Sequence, residues 1–361
     1  MTGRLDPLRA IMTRTGVDLV VLAPGAHLSW LLGLRPHADE RPLLFCVTAT
    51  GEGFLMPSLE AESLRQHTDL PFYEWADADG PAEALEALLA AIGGADAGAI
   101  ALDECMRADH AGLIQDRLPG ATRVFGETTV GALRMRKDEA EYQALKRNAC
   151  TADNAMLAAW AAMKPGMSEL DVAQIARAEF VAQGAAPLFS IIGAGGNGAF
   201  PHHHTGETVL KSGDAVVMDI GGGMEGYSSD ITRATVLGTP PEGFMEVHAI
   251  VDAAVQAALD AARPGVRARV VDDAARAVIA DAGYGAAFMH RTGHGLGTEV
   301  HEPPYISASS QTVLDEGMVF SIEPGIYLPG RFGVRLEEIV ILRADGPEVL
   351  SDLPRDVRVI G

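Results

Sequence analysis

Apolar positions in the first part of the chain come in short runs separated by helical stretches. Asp18–Leu22, Leu43–Val47, Gly53–Met56 and Ala99–Leu102 read as strands, and the Ala/Leu/Glu-rich stretch from Pro81 to Ile92 reads as a helix. Strands alternating with helices predict an α/β layer domain. The pattern changes at Arg134-Met135-Arg136-Lys137-Asp138-Glu139, where a long helix is expected from about Asp138 to Met163. The boundary is placed near residue 130, giving an α/β domain over 1–130 and a second domain over 131–361.

The second domain repeats itself. Lys164-Pro165-Gly166-Met167 returns as Arg263-Pro264-Gly265-Val266, 99 positions later. The register holds at Val172 and Val271, at Arg177-Ala178 and Arg276-Ala277, and at Gly184 and Gly283. A helix precedes each copy, the second running from about Phe244 to Arg263, and each Pro-Gly turns into another helix. Ser168 with Asp171 fits a capping box in the first copy only.

Each copy leads to a strand that ends in an acid. Gly213 is followed six positions on by Asp219 and then by Gly221; Gly317 is followed six positions on by Glu323 and then by Gly325. Each acid has a second one downstream. Asp230 opens the run Ile231–Leu237, and Glu337 opens Glu338–Leu342, with Gly- and Pro-rich turns between the members of each pair. Acids set in apolar strands are costly to bury unless paired or bound to a cation. A helix–turn–helix–strand-pair unit used twice predicts approximate two-fold symmetry, with the four acids meeting between the halves. Between the pairs lies His290-Arg291-Thr292-Gly293-His294-Gly295, whose glycines let the backbone approach closely. One imidazole with four carboxylates suits two divalent ions. Oxygen-rich ligation favours Mn²⁺, with Co²⁺, Fe²⁺ or Zn²⁺ as alternatives.

Bulk properties narrow the classes. At 361 residues, 48% hydrophobic and 21% charged, the chain has the make-up of a soluble globular protein of two domains. A net charge of −21 makes nucleic acid and anionic membranes poor partners. No apolar run approaches the ~20 residues that span a bilayer. The first nineteen residues lack a signal-like apolar core. Cys46, Cys105 and Cys150, odd in number and far apart, suit a reducing cytoplasm. In the first domain His27, His37, His67 and His110 are isolated, so no metal cluster is expected there. His203, His204 and His248 are expected to have no catalytic part.

The contexts Asp219-Ile220-Gly221, Ser229-Asp230-Ile231-Thr232-Arg233, Thr292-Gly293-His294-Gly295, Ile322-Glu323-Pro324-Gly325 and Val334-Arg335-Leu336-Glu337, in that order, resemble the pita-bread metallopeptidases. These include prolidase, aminopeptidase P and methionine aminopeptidase. The resemblance implies an α+β chain: a pita-bread domain with an internal pseudo-two-fold repeat, preceded by a smaller α/β domain of the creatinase N-terminal type. It implies that Asp219 chelates one metal, that Asp230 and Glu337 bridge both, and that His294 and Glu323 complete the second. Glu323 would move protons, and the nucleophile would be a hydroxide bridging the two metals. His202, seventeen residues before Asp219, His301, seven beyond His294, and His290, four before it, match further active-site histidines of the family. His202 and His301 would also contact substrate, and Arg335 matches an arginine near it.

Arg335 and the large first domain favour the proline-specific branch, as dipeptidase or aminopeptidase P. Short proline-containing peptides would be the substrates and a homodimer the assembly. The alternative is a hydrolase or lyase on the same fold acting on a small non-peptide compound, as creatinase and ectoine hydrolase do. A dipeptidase must also bind a free carboxylate. Some prolidases place an arginine for this a few residues after the position of His301, where this chain has Pro303-Pro304-Tyr305. Arg331 and Arg291 are then the candidates.

Overall fold

The computed structural model describes residues 2–361, which divide into two compact units, one ending at Arg134 and the other running Met135–Gly361. In the first unit the strands are β1 (Leu19–Leu22), β2 (Leu44–Val47), β3 (Glu52–Pro57), β4 (Phe72–Trp75), β5 (Ala99–Leu102) and β6 (Thr122–Phe125). They form one mixed sheet in the order β4-β3-β2-β1-β5-β6. Successive side chains on a strand point to opposite faces. Val20, Leu22, Phe45 and Phe54 therefore enter one core, and Leu19, Val21, Leu44 and Leu55 the other. Helices α1 (Leu5–Thr15), α2 (Ala26–Leu32) and α3 (Ser58–Arg65) cover the first face, while α4 (Ala82–Ile92) and α5 (Ala108–Arg117) cover the second. The short helix α6 (Val130–Arg134) belongs to this unit, because Val130 is buried in its core and Arg134 bonds to His27. Two strands escape the apolar pattern. Both β4 and β6 are edge strands, so most of their residues stay partly exposed and need no apolar run.

His27 is not isolated. It is buried beside Asp103 and Glu104, and the three present ligand-type atoms to one another. Its Nε2 donates to Glu104 Oε2 at 2.8 Å, however, and its Nδ1 accepts from the Arg134 guanidinium at 3.0 Å. Both ring nitrogens are committed and a fixed cation stands alongside, so the cluster is a packing network.

The second unit carries the repeat. Helix α7 (Glu139–Ala162) starts at a capping box of Asp138 and Glu141, and α8 (Glu169–Ala182) at one of Ser168 and Asp171; their counterparts are α9 (Phe244–Ala261) and α10 (Ala268–Asp281), which has no side-chain cap. Gly166 and Gly265 take left-handed φ angles of 95° and 88° at the same place in each copy, a conformation that favours glycine. The first copy feeds β7 (Ala186–Ala194), β8 (Ala215–Met224), β9 (Tyr227–Ser228) and β10 (Ile231–Leu237). The second feeds β11 (Gly293–Gly295), β12 (Glu302–Ile306), β13 (Val319–Ile322), the hairpin β14 (Gly325–Leu328) and β15 (Phe332–Arg335), then β16 (Glu338–Arg343) and β17 (Gly346–Val349). The sheets run β18-β10-β8-β7, with β18 (Arg358–Ile360) at the edge, and β12-β11-β13-β16-β17.

Each half has its own core. Val216, Met218 and Ile220 of β8 pack with Met156, Trp160, Val172 and Phe180 of α7 and α8. Phe320 and Ile322 of β13 and Val340 and Leu342 of β16 pack with Val251, Val255, Val271 and Ile279 of α9 and α10. Strand parity then decides where the acids point. Asp219 alternates with Met218 and Ile220, so it faces away from α7 and α8. Glu323 lies just past β13 on the face opposite Phe320 and Ile322.

Candidate active site

The faces left by this parity enclose a cavity of about 520 Å³. Its lining includes Asp219, Asp230, Glu323 and Glu337 together with His202, His290, His294 and His301. Asp219 pairs across the ladder with Thr232, and the Thr232 hydroxyl donates to Glu337 Oε2 at 2.7 Å. Glu337 N donates to the Thr232 carbonyl at 3.1 Å, and Arg233 Nη1 donates to the Glu337 carbonyl at 2.6 Å. One threonine thus ties the acid of the second half to the strand pair of the first.

On the other side Ser321 does similar work. Its Oγ accepts from His294 N at 2.9 Å and donates to Glu323 Oε1 at 3.1 Å. The backbone comes this close only because residue 293 is glycine. A Cβ there would stand 1.9 Å from the Ser321 carbonyl oxygen. His294 Nδ1 donates to the Gly295 carbonyl at 3.1 Å, so Nε2 is the nitrogen that points to the acids, a donor to Glu323 in the metal-free protein and a lone-pair ligand where a cation takes the proton's place. That nitrogen faces Glu323 Oε1 at 3.1 Å and Asp230 Oδ2 at 3.8 Å.

This donor set calls for positive charge. Asp219 Oδ1, Asp230 Oδ1 and Glu337 Oε1 are buried without a hydrogen-bond partner among the described residues. Burial pushes the Asp230 carboxyl well above the carboxylate range, and the charges of Glu337, Asp219 and Glu323 push it further. Burial does the same to Glu337, helped by Glu323 and Asp219. Burial also opposes ionisation of Glu323, but the hydrogen bond and charge of His294, together with the charge of Arg335, hold it down at about 2 in the metal-free protein. Ligand atoms of Asp230, His294 and Glu337 lie within 4.8 Å of one another. Orphaned carboxylate oxygens around an imidazole lone pair fit divalent cations and hard-ligand chemistry.

The other expected site residues separate by what they touch. His301 stacks near His294 with ring centroids 4.0 Å apart; burial first, then the nearby charges of His294 and Arg291, lower its pKa to about 4. His202 is exposed to the cavity. His290 lines it too, but its Nδ1 donates to the Arg291 carbonyl at 2.7 Å and its Nε2 accepts from the Tyr327 hydroxyl at 2.8 Å. Burial lowers its pKa, so it is held neutral. Arg335, expected near the substrate, also lines the cavity. Its guanidinium is buried and donates to Asp219 Oδ2 at 2.6 Å, Tyr327 Oη at 3.0 Å, Thr232 Oγ1 at 3.2 Å and the Pro201 carbonyl at 3.3 Å. It orients a cage acid, and the low-dielectric interior strengthens that pair.

Sequence reasoning missed the residues that hold the loops. Glu169, fully buried, accepts from Ala194 N, Asn197 Nδ2, His203 Nε2 and Gly206 N at 2.8–3.2 Å, closing the loop that carries His202. Asp272, equally buried, accepts from Thr292 N and Oγ1 at 3.0 and 2.8 Å. Lys137 and Glu302 form a buried ion pair at 2.5 Å next to His301. Ser321 and Thr232 had a signal, since each stands two residues from a cage acid on an alternating strand. Tyr327 and Glu169 had none: one sits in an apolar strand, the other in the first turn of a helix, where acids are usually solvated.

Fold and site together define a two-unit pita-bread metallohydrolase with an oxygen-rich candidate metal site. The chain belongs to metallopeptidase family M24, whose model matches residues 144–344, while a creatinase/prolidase N-terminal domain matches residues 4–136. It is 39% identical to the probable dipeptidase PepE of Mycobacterium tuberculosis, over 99% of this chain and 96% of that protein. It is 32% identical to the Xaa-Pro dipeptidase of Pyrococcus horikoshii, over 99% of both chains. The crystal structure of dipeptidase PepE from Mycobacterium ulcerans superposes with a TM-score of 0.94 at 39% identity, covering 99% of this chain and 97% of that one. Among the described residues no helix is long and apolar enough to cross a membrane.

Proposed function

We propose that this protein is an Xaa-Pro dipeptidase, hydrolysing the bond before proline with two divalent cations held by Asp219, Asp230, His294, Glu323 and Glu337. The observation that carries this reading is the cage of orphaned carboxylate oxygens around His294 Nε2, on a chain whose relatives bear the name Xaa-Pro dipeptidase. Asp230 and Glu337, one from each half, would be shared between the cations; Asp219 would serve one of them, and His294 and Glu323 the other. When bound, the cations acidify a water and polarise the scissile carbonyl.

The chain's own groups do the rest. Glu323, at the cage edge and held as an anion, takes the proton from the attacking water and returns it to the proline nitrogen. His301, neutral and set beside His294, donates a hydrogen bond to the reacting carbonyl oxygen. His202, on the loop closed by Glu169, contacts the substrate from the opposite wall. His290, Tyr327 and Arg335 form a relay of hydrogen bonds that ends on Asp219 and positions it. Leu188, Phe189, Ile191 and Val300 form an apolar wall suited to the side chain of the first residue and the proline ring.

The oxygen-rich donors favour Mn²⁺. Three free cysteines, two of them exposed, agree with a reducing cytoplasm. The family resemblance supports a homodimer, and the working domain limit, expected near residue 130, falls after α6 at Arg134. The test is an activity panel with Mn²⁺ on Xaa-Pro dipeptides, Xaa-Pro-Yaa peptides, methionyl peptides and small amides. Turnover of Xaa-Pro dipeptides above the rest is expected; no turnover of any Xaa-Pro bond would overturn the reading.

A further inference from the structure

A dipeptide brings a free carboxylate into a cavity whose cage acids are already matched by the cations they would hold. That carboxylate loses water on entry and needs a donor-bearing cation of its own on the wall. Two arginines line the cavity, Arg335 and Arg291. The Arg335 donors point to Asp219, Tyr327, Thr232 and Pro201. Arg331 is excluded for a different reason: it does not line the cavity, its Nη2 donates to the Glu242 carbonyl at 2.8 Å, and its guanidinium lies over Phe332.

Arg291 is placed differently. Its guanidinium carbon lies 4.5 Å from the centroid of the Tyr305 ring, and among the described residues the guanidinium makes no hydrogen bond and no ion pair. Both flanks of its backbone are pinned. The Arg291 carbonyl accepts from His290 Nδ1, and Thr292 is held through N and Oγ1 by buried Asp272. Tyr305 arrives from β12, which pairs antiparallel with β11 so that Gly293 faces Ile306. The ring therefore supports one face of the guanidinium, leaving the N–H edge open. A planar fork of donors fixed by stacking matches the two oxygens of a carboxylate.

We propose that Arg291, held on the Tyr305 ring, is the receptor for the α-carboxylate of the substrate's C-terminal residue and so limits the enzyme to dipeptides. The inference rests on the peptidase reading above and deepens it. A dipeptide presents its carboxylate one residue past the scissile carbonyl. A C-terminal amide or a tripeptide presents a neutral group there, leaving the guanidinium without its counter-ion.

The test uses the full-length, metal-loaded protein with Ala-Pro, Ala-Pro amide and Ala-Pro-Ala. Wild type should prefer Ala-Pro. Arg291→Gln should raise KM for Ala-Pro roughly ten- to hundredfold, the range of a charge-assisted contact, and collapse its preference over the amide, with bound metal unchanged. Arg291→Lys, a point charge without the fork, should recover part of the preference. Tyr305→Ala should lower it more than Tyr305→Phe, which keeps the ring. Arg331→Gln should alter neither substrate. An Arg291→Gln enzyme that keeps the wild-type ratio of Ala-Pro to amide, or loses both substrates equally, overturns the carboxylate receptor alone. A wild type inert towards every Xaa-Pro bond sinks the peptidase reading, and this inference falls with it.

Discussion

The two halves of the catalytic unit share a frame but not a chemistry. In the first, α7 and α8 back β8 and β10, which supply Asp219 and Asp230 and no nitrogen ligand. In the second, α9 and α10 back β11, β13 and β16, and these strands with their flanking residues and loops supply His294, Glu323, Glu337 and every cavity histidine except His202. Each half also buries one helix carboxylate to hold its histidine segment, but at different repeat positions. Glu169 is in the first turn of α8, whereas Asp272 is the fifth residue of α10. Glu169 collects four donors across a loop of more than ten residues; Asp272 holds Thr292 and the Arg276 guanidinium. The repeat thus preserves what packs and varies what reacts, because the core faces of the strands are constrained by the helices and the opposite faces are not.

The most severe break is to remove one bridging acid from either half. Asp230→Asn or Glu337→Gln should each cost more than about a thousandfold in Xaa-Pro hydrolysis, with metal content by elemental analysis falling in parallel. Equal losses would show that the cage needs both halves. Near-normal turnover by metal-loaded Asp230→Asn would remove its bridging role.

Close approach sharpens the contrast next. A Cβ at Gly293 meets the Ser321 carbonyl oxygen at 1.9 Å, a backbone atom that cannot swing aside, whereas a Cβ at Gly223 meets the end of Leu188 at 3.3 Å. Gly293→Ala should cost about 3 kcal/mol or more in urea unfolding, the upper range of overpacking, and Gly223→Ala well under about 1 kcal/mol. A tolerated Gly293→Ala would mean that β11 and β13 do not pack as described.

The two anchoring carboxylates should differ in kind. Glu169→Gln and Asp272→Asn are each expected to lose about 1.5–3 kcal/mol, since charge-assisted hydrogen bonds to buried groups weaken. Glu169→Gln should impair kcat/KM while leaving metal content intact, because its loop carries His202. Asp272→Asn should reduce metal affinity, because its segment carries His294. Titration of metal loading in the two variants separates them; an identical pattern would erase the distinction between the halves.

The smallest effect is in pH. In metal-stripped protein the raised carboxyls of Asp230 and Glu337 favour folding below their unfolded pKa near about 4, and that contribution is lost as pH climbs through the raised folded values. Bound cations reverse the preference by favouring the anions. The difference in Tm between metal-loaded and chelated protein should therefore widen from pH 5 to pH 8. A constant difference would mean that the acids do not face one another in the empty cage.

The strands that bury both faces and the helices with caps were legible because their signals are local. Apolar parity, the Pro-Gly turns and the two capping boxes of α7 and α8 each lie within a few residues. The edge strands β4 and β6 were not, since half-exposed strands carry no apolar run. The meeting of the four acids and His294 around one cavity follows the spacing, but use of donors was not legible there. Arg335, expected at the substrate, is turned to Asp219 and Tyr327. His27, expected to stand alone, is tied to Glu104 and Arg134 from the far end of its unit.

The sequence by itself determined the two-part organisation, the repeated frame, the five candidate ligands and the hard-cation chemistry they imply. These follow from spacing, from strand parity and from the cost of burying charge, all of which are read along the chain. Only the tertiary structure decided which groups are already occupied. It turned Arg335 inward and left Arg291 open on Tyr305, and it set Glu169 and Asp272 beneath the histidine segments. Hydrogen-bond partners lie up to a hundred or more residues apart, and a donor's availability depends on every acceptor the fold brings within about 3 Å of it.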